Sequence, residues 1–171
     1  AHLYHVPTLF EWFPKAKFIH MFRDPRAIFI SQKKKKFEQK RVKARHRFFR
    51  QSTLTYEIYL SLNVTIHWLR VVRLHYRYQQ LYPANYYLLK FEDLITDPET
   101  QVQKLCNFLE IDFDEKMLQR RVVNSSFGSH NPIQGFNISA IHRWREHLHP
   151  MTNKWFVLFC KKELLEFGYQ L

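Results

Sequence analysis

The sequence predicts an α/β fold built on a parallel sheet, and three observations carry that expectation. Two short, nearly continuous apolar runs, Lys17–Phe22 and Tyr86–Phe91, have the length and character of strands buried on both faces. A segment with the periodicity of a long amphipathic helix separates them, and an Asp-Pro helix-start signal follows each. Strand–helix–strand–helix order implies a right-handed parallel unit.

The elements read in order as follows. Residues 8–13 look like the end of a helix stopped by Pro14, and Lys17–Phe22 is the first strand. Asp24 then stands at an N-cap and Pro25 at the first helical position of a helix running through Ser31 into the lysines. From Leu54 to Leu81, the residues Leu54, Ile58, Leu62, Ile66, Leu69, Val72 and Tyr76 recur at three- and four-residue steps. They are expected to form the apolar face of one helix, or of two with a kink. Pro83 stops that helix, and Tyr86–Phe91 is the second strand. Glu92 and Asp93 read as structural ties at the strand end. Asp97 and Pro98 open a further helix, with Val102, Leu105, Cys106 and Leu109 as its stripe. A short helix is expected near Glu115–Val123 and a polar loop over Asn124–Ile138. The last helix starts near Thr152, presents Trp155, Leu158, Phe159 and Leu165, and ends with Gly168 as its C′ residue.

Composition bounds what such a fold can do. A chain of 171 residues fits one domain, 1–171, and 46% hydrophobic content suffices for a core. Its 16 Phe, 9 Tyr and 4 Trp supply far more apolar area than disordered chains carry. No apolar run approaches the roughly 20 residues of a membrane span. The opening Ala1-His2-Leu3-Tyr4-His5 lacks the basic-then-apolar layout of a signal peptide, and three glycosylation-type triplets begin at Asn63, Asn124 and Asn137. Cys106 and Cys160 lie in apolar helical contexts and read as buried thiols of a reducing compartment. A cytoplasmic location is therefore expected, with the Golgi lumen as the alternative if an anchor lies upstream.

Glycine is scarce: there are three, Gly128, Gly135 and Gly168. Neither a Walker loop nor a dinucleotide fingerprint can be assembled from that spacing, so any phosphate chemistry in this chain proceeds without a glycine loop. Charge is uneven. The net charge is +12, and Lys33–Arg50 alone holds ten basic residues against one acid, Glu38. That segment reads as a solvated helix face, as a contact for an anionic polymer or acidic substrate, or as a nucleic-acid contact in which Phe37, Phe48 and Phe49 interleave with the cations. His142, Glu146, His147 and His149 cluster in sequence, but their spacing fails the zinc patterns, so no metal is expected.

Arg23-Asp24-Pro25-Arg26 at the end of the first strand suits anion binding on physical grounds. A helix N-terminus attracts anions, a guanidinium fork holds phosphate by paired hydrogen bonds, and Ser31 and Lys35 share one helix face. The run Lys17–Ser31 resembles the 3′-phosphate-binding segment of sulfotransferases that use 3′-phosphoadenosine 5′-phosphosulfate (PAPS). Leu89–Leu94 is similar to that family's Tyr-Glu-Asp-Leu block, with Phe91 in place of the tyrosine. Leu105-Cys-Asn-Phe-Leu109 follows as the resemblance requires, and Asn124–Phe127 with Ile138–Arg145 looks like the late nucleotide-contacting loop and its Arg/Lys-Trp ending.

The resemblance implies a P-loop-NTPase-like three-layer sandwich. It implies PAPS as cosubstrate, no metal, and sulfuryl transfer to an acceptor hydroxyl or amine. Arg23, Ser31, Lys35 and Arg143 would hold the 3′-phosphate, and Ser125 and Ser126 would face the nucleotide. The family's glycine-containing strand–loop–helix for the 5′-phosphosulfate is not in this sequence and is expected before Ala1, so the chain reads as a carboxyl-terminal portion that binds the product nucleotide without turnover. The catalytic base stays unassigned, with His2, His5 and Glu11 as the upstream titratable side chains. A polyanion-binding module and an inactive sulfotransferase-like interaction protein are the competing readings.

Overall fold

A computed structural model of the chain describes residues 2–38, 53–119 and 136–171. It divides into two compact units: Ala1–Arg23 with Arg70–Val122 and Asn131–Ile138, and Asp24–Leu69 with Val123–His130 and Ser139–Leu171.

The first unit holds the sheet. A 3-10 turn, His2–His5, leads into α1 (Val6–Trp12), whose buried Val6 and Phe10 lie one turn apart. They pack with Tyr78 and Tyr86, and Leu3, Phe18, Leu74 and Tyr82 close around them. Strands β1 (Phe18–Phe22) and β2 (Tyr86–Lys90) pair in parallel, Phe18 opposite Tyr86 and Phe22 opposite Lys90. The parallel pairing matches the expectation, but β1 is not buried on both faces. Ile19 is 41% and Met21 50% exposed, while Phe18, His20 and Phe22 take the covered side. A strand pleat sends alternate side chains to opposite faces, and among the described residues β1 pairs only with β2. The second strand ends at Lys90, and Phe91 already opens the short α4 (Phe91–Thr96).

Helix α5 (Pro98–Leu109) begins as read, with the Asp97 side chain accepting the Thr100 amide hydrogen at 3.4 Å. It closes on Glu110, which adopts a left-handed conformation at φ 59°. The Lys17 ammonium donates to the Phe108 carbonyl and the Glu110 carboxylate at 2.6 Å each. A cation thereby meets the negative end of α5 and ties it to the residue preceding β1. The region after α5 forms a 3-10 turn over Glu115–Gln119; the rest of the predicted short helix, Arg120–Val123, lies outside the described residues.

The second unit is helical. It contains α2 (Pro25–Glu38), the first part of α3 (Thr53–Leu81), α6 (Ser139–His147) and α7 (Pro150–Glu166). Phe29 of α2 meets Phe156 of α7 edge to face at 5.8 Å, and Trp155 Nε1 donates to Thr65 Oγ1 at 3.0 Å. The predicted stripe on α3 holds only in its second half, where Val72 is buried and Leu69 and Tyr76 are half-buried. In the first half Leu54, Ile58, Leu62 and Ile66 are exposed, and Tyr56, Leu60, Val64 and Trp68 are buried in their place. The helix carries two apolar stripes, and the one with Tyr56 and Trp68 buries more area per residue.

The expected polar loop ends at Ile138, and α6 forms directly after it because Ser139–His147 contains no breaker. Helix α7 starts at Pro150, two residues before the predicted Thr152, with the His149 ring accepting the Met151 amide hydrogen at 3.2 Å. Gly168, at φ 75°, ends it as read. Cys106 and Cys160 are both buried and free. No helix among the described residues is long and apolar enough to cross a membrane.

Candidate functional site

Arg23 follows β1 directly, at the carboxyl end of the strand, the edge at which open α/β sheets bind ligands. It is half-buried, and its guanidinium carbon stands 4.1 Å from the centroid of the Phe91 ring. Phe91 lacks the hydroxyl of the family's tyrosine and holds Arg23 by stacking instead. Next to Phe91, Lys90 pairs with Asp93 at 3.3 Å, and Thr96 Oγ1 donates to the Glu92 carbonyl at 2.8 Å. Asp93 is the structural tie that its position implied.

In the second unit, Asp24 caps α2: its Oδ1 accepts the Arg26 amide hydrogen at 2.8 Å. Ser31 is half-buried on α2, and Lys35 lies one turn further on, exposed. Arg143 of α6 is half-buried and donates through Nη2 to Ser139 Oγ at 2.8 Å. Helices α2 and α6 pack against each other, so this unit brings together the elements bearing Ser31, Lys35 and Arg143. Ser125 and Ser126 lie outside the described residues, as does the basic run beyond Glu38. Of that run, Lys33 is engaged by Glu57 at 2.6 Å.

Arg26 has a role that the sequence did not disclose. Only 1% exposed, it donates to both carboxylate oxygens of Asp24, with Nη2 at 2.7 Å and Nε at 3.0 and 3.2 Å. It also donates to the Gln170 carbonyl at 2.5 Å and to Asn153 Oδ1 at 3.4 Å, and its guanidinium lies 4.2 Å from the Trp144 ring centroid. The only sequence signal for this was an acid and an arginine flanking a helix-opening proline. Burial pushes the nearby Cys160 thiol up to about 12, with Glu163 adding to the effect, so this sulfur is chemically quiet.

A second unforeseen cluster lies in the first unit. The Tyr86 hydroxyl is 2.6 Å from His20 Nδ1 and 3.3 Å from His75 Nδ1. Burial, helped by His75, lowers His20 to about 4, and burial lowers His75 as well. Between about 4 and the ordinary 6.5 the unfolded chain therefore binds more protons than the folded one. Stability from the neutral pair is complete above 6.5 and is lost as the pH falls towards 4, by about 3 kcal/mol for His20 alone. Urea unfolding at a series of pH values checks this expectation. A wild-type profile no steeper between pH 6.5 and 4 than that of the His20→Gln/His75→Gln variant overturns it.

Among the candidate bases, His5 and Glu11 are exposed, and the His2 side chain is outside the described residues. No three His, Cys, Asp or Glu side chains gather around a common point among the described residues.

Comparison with known proteins supplies the frame for these features. The sulfotransferase family model matches residues 1–115. Over 115 residues the chain is 31% identical to the omega-hydroxy-beta-dihydromenaquinone-9 sulfotransferase Stf3 of Mycobacterium bovis and, equally, to that of Mycobacterium tuberculosis. The alignment covers 67% of this chain and 28% of each relative, so the chain spans under a third of the relatives' length. Two solved sulfotransferase domains share the fold. The domain from the Synechococcus PCC 7002 olefin synthase has a TM-score of 0.56 at 21% identity, covering 91% of this chain and 50% of that one. The domain from the curacin biosynthetic pathway has a TM-score of 0.53 at 16% identity, covering 91% and 54%. The parallel strand pair and its helices are thus consistent with the P-loop-like sulfotransferase architecture, and the chain belongs to the sulfotransferase family of transferases.

Proposed function

We propose that residues 1–171 form one sulfotransferase-like domain that binds PAPS and its product 3′,5′-adenosine diphosphate (PAP) through the 3′-phosphate. PAPS supplies the sulfuryl group, with the bond from sulfur to the 5′-phosphate oxygen breaking as a bond to the acceptor oxygen or nitrogen forms. Arg23 grips the 3′-phosphate as a fork, Ser31 adds a hydroxyl, and Lys35 and Arg143 add positive charge. Ser125 and Ser126 face the nucleotide. The anchoring residues fix the donor's position, so their contribution is orientation and charge stabilisation. No residue of this chain is assigned to the 5′-phosphosulfate, because the sequence contains no glycine loop. The acceptor proposed is a hydroxyl compound, supported by the omega-hydroxy substrate in the name of the mycobacterial relatives.

The observation that carries this reading is Arg23, set at the end of β1 and stacked on Phe91 at 4.1 Å. Calorimetric and thermal-shift titration with PAP is expected to show saturable binding. Arg23→Ala is expected to weaken it about 100-fold, the loss of roughly 3 kcal/mol from a charge-assisted phosphate contact. No response to PAP, or an equal response in Arg23→Ala, overturns the proposal. Salt-dependent oligonucleotide binding that is abolished by neutralising Lys33–Lys36 and indifferent to Arg23 would favour the polyanion-binding reading in its place.

A further inference from the structure

Arg26 is buried, multiply bonded and in contact with parts of the second unit far apart in sequence. It stands at the second position of α2, with Asp24 before it, Asn153 of α7 and the Gln170 carbonyl beyond. Its guanidinium carbon stands 4.2 Å from the ring centroid of Trp144, the residue directly following Arg143 on α6. Arg145 also approaches the Trp144 ring, at 5.5 Å, and donates to Gln170 Oε1 at 2.7 Å. Trp144 is thus the residue through which α6 is referred to the start of α2. The Trp144–Arg26 contact, with the Arg145–Gln170 bond, fixes the rotation of α6, and that rotation together with the Ser139 hydroxyl, to which Arg143 donates at 2.8 Å, sets the direction of Arg143.

A lone structural anchor would need only apolar packing, since a buried ion pair is a weak source of net stability. An ion pair does supply direction: the Asp24 carboxylate fixes the Arg26 guanidinium, and with it the cation over which the Trp144 ring sits at 4.2 Å. We propose that Arg26 and Trp144 form a positioning pair that orients Arg143 towards the 3′-phosphate of the nucleotide. The proposal rests on the PAP-binding reading above. Neither Arg26 nor Trp144 touches the nucleotide; both act through Arg143.

The test compares PAP with 5′-AMP, which lacks the 3′-phosphate, in calorimetric titrations of the 171-residue chain well below its melting temperature. Trp144→Leu removes the stack and leaves the Asp24–Arg26 pair and Arg143 in place, so it avoids exposing a buried charge. It is expected to weaken PAP about tenfold and AMP hardly at all. Trp144→Phe, which keeps an aromatic face, is expected to recover most of the loss. In an Arg143→Ala background, Trp144→Leu is expected to cause no further loss, because its route to the phosphate is gone. Equal weakening of PAP and AMP, or full additivity with Arg143→Ala, overturns the positioning role while leaving PAP binding intact. If the wild type binds no PAP, or Arg23→Ala binds it unchanged, the parent reading fails and this proposal falls with it.

Discussion

Phe156→Ala is expected to cost about 3–5 kcal/mol of stability and to lower the melting temperature by roughly 10 °C. Phe156 has no solvent exposure, lies in the middle of α7, and meets Phe29 of α2 edge to face at 5.8 Å. Truncation removes the transfer energy of a whole ring and leaves a cavity between helices whose backbones are tied elsewhere. Arg26 bonds both Asn153 and Gln170, which limits how far α7 can move to fill the hole. Chemical unfolding followed by circular dichroism measures the loss. A change below about 1 kcal/mol would show that this part of the unit collapses readily and is not close-packed.

Asp24→Ala is expected to have an effect of similar size, about 3–5 kcal/mol, by a different route. The substitution leaves the Arg26 charge 1% exposed with no carboxylate opposite it. It also deletes the cap on the Arg26 amide, worth about 1 kcal/mol at a typical N-cap. The second substitution Arg26→Met, added to Asp24→Ala, is expected to restore most of the lost stability, because the penalty comes from the orphaned charge. Melting the single and double variants side by side decides it. A double variant no more stable than Asp24→Ala would place the cost in the cap and not in the ion pair.

Several features were legible in the sequence because their causes are local. Asp24-Pro25 and Asp97-Pro98 open helices through their own backbone geometry, and Gly168 ends one through a positive φ. The parallel pairing of β1 with β2 followed from element order. Arg23, Ser31 and Lys35 are named by their spacing along one strand–turn–helix, and that local geometry forms as read, with Arg23 directly after β1 and Ser31 and Lys35 on α2. What failed depended on tertiary choice. On α3, the stripe from Leu54 to Ile66 and the stripe from Tyr56 to Trp68 both have helical periodicity, and only packing decides which is buried. The exposure of Ile19 and Met21 depends on what covers each face of β1, which an apolar run does not state. The burial of Arg26 was hidden for the same reason. Its partners Trp144, Asn153 and Gln170 are more than a hundred residues away, and an arginine beside a helix start looks like a surface residue until they arrive.

The hydroxyl of Tyr86 has one hydrogen and two imidazole neighbours, His20 and His75, each presenting Nδ1. It can give that hydrogen to one ring only, and must accept from the other. With both rings neutral, one carries its hydrogen on Nδ1 and the other on Nε2, so the two histidines hold opposite tautomers. Rotating the single O–H bond without moving a hydrogen on either ring breaks both contacts at once. The strand β2 and the helix α3 are therefore joined to β1 by a directional relay whose sense is set by one torsion, and exchanging that sense requires three hydrogens to move together.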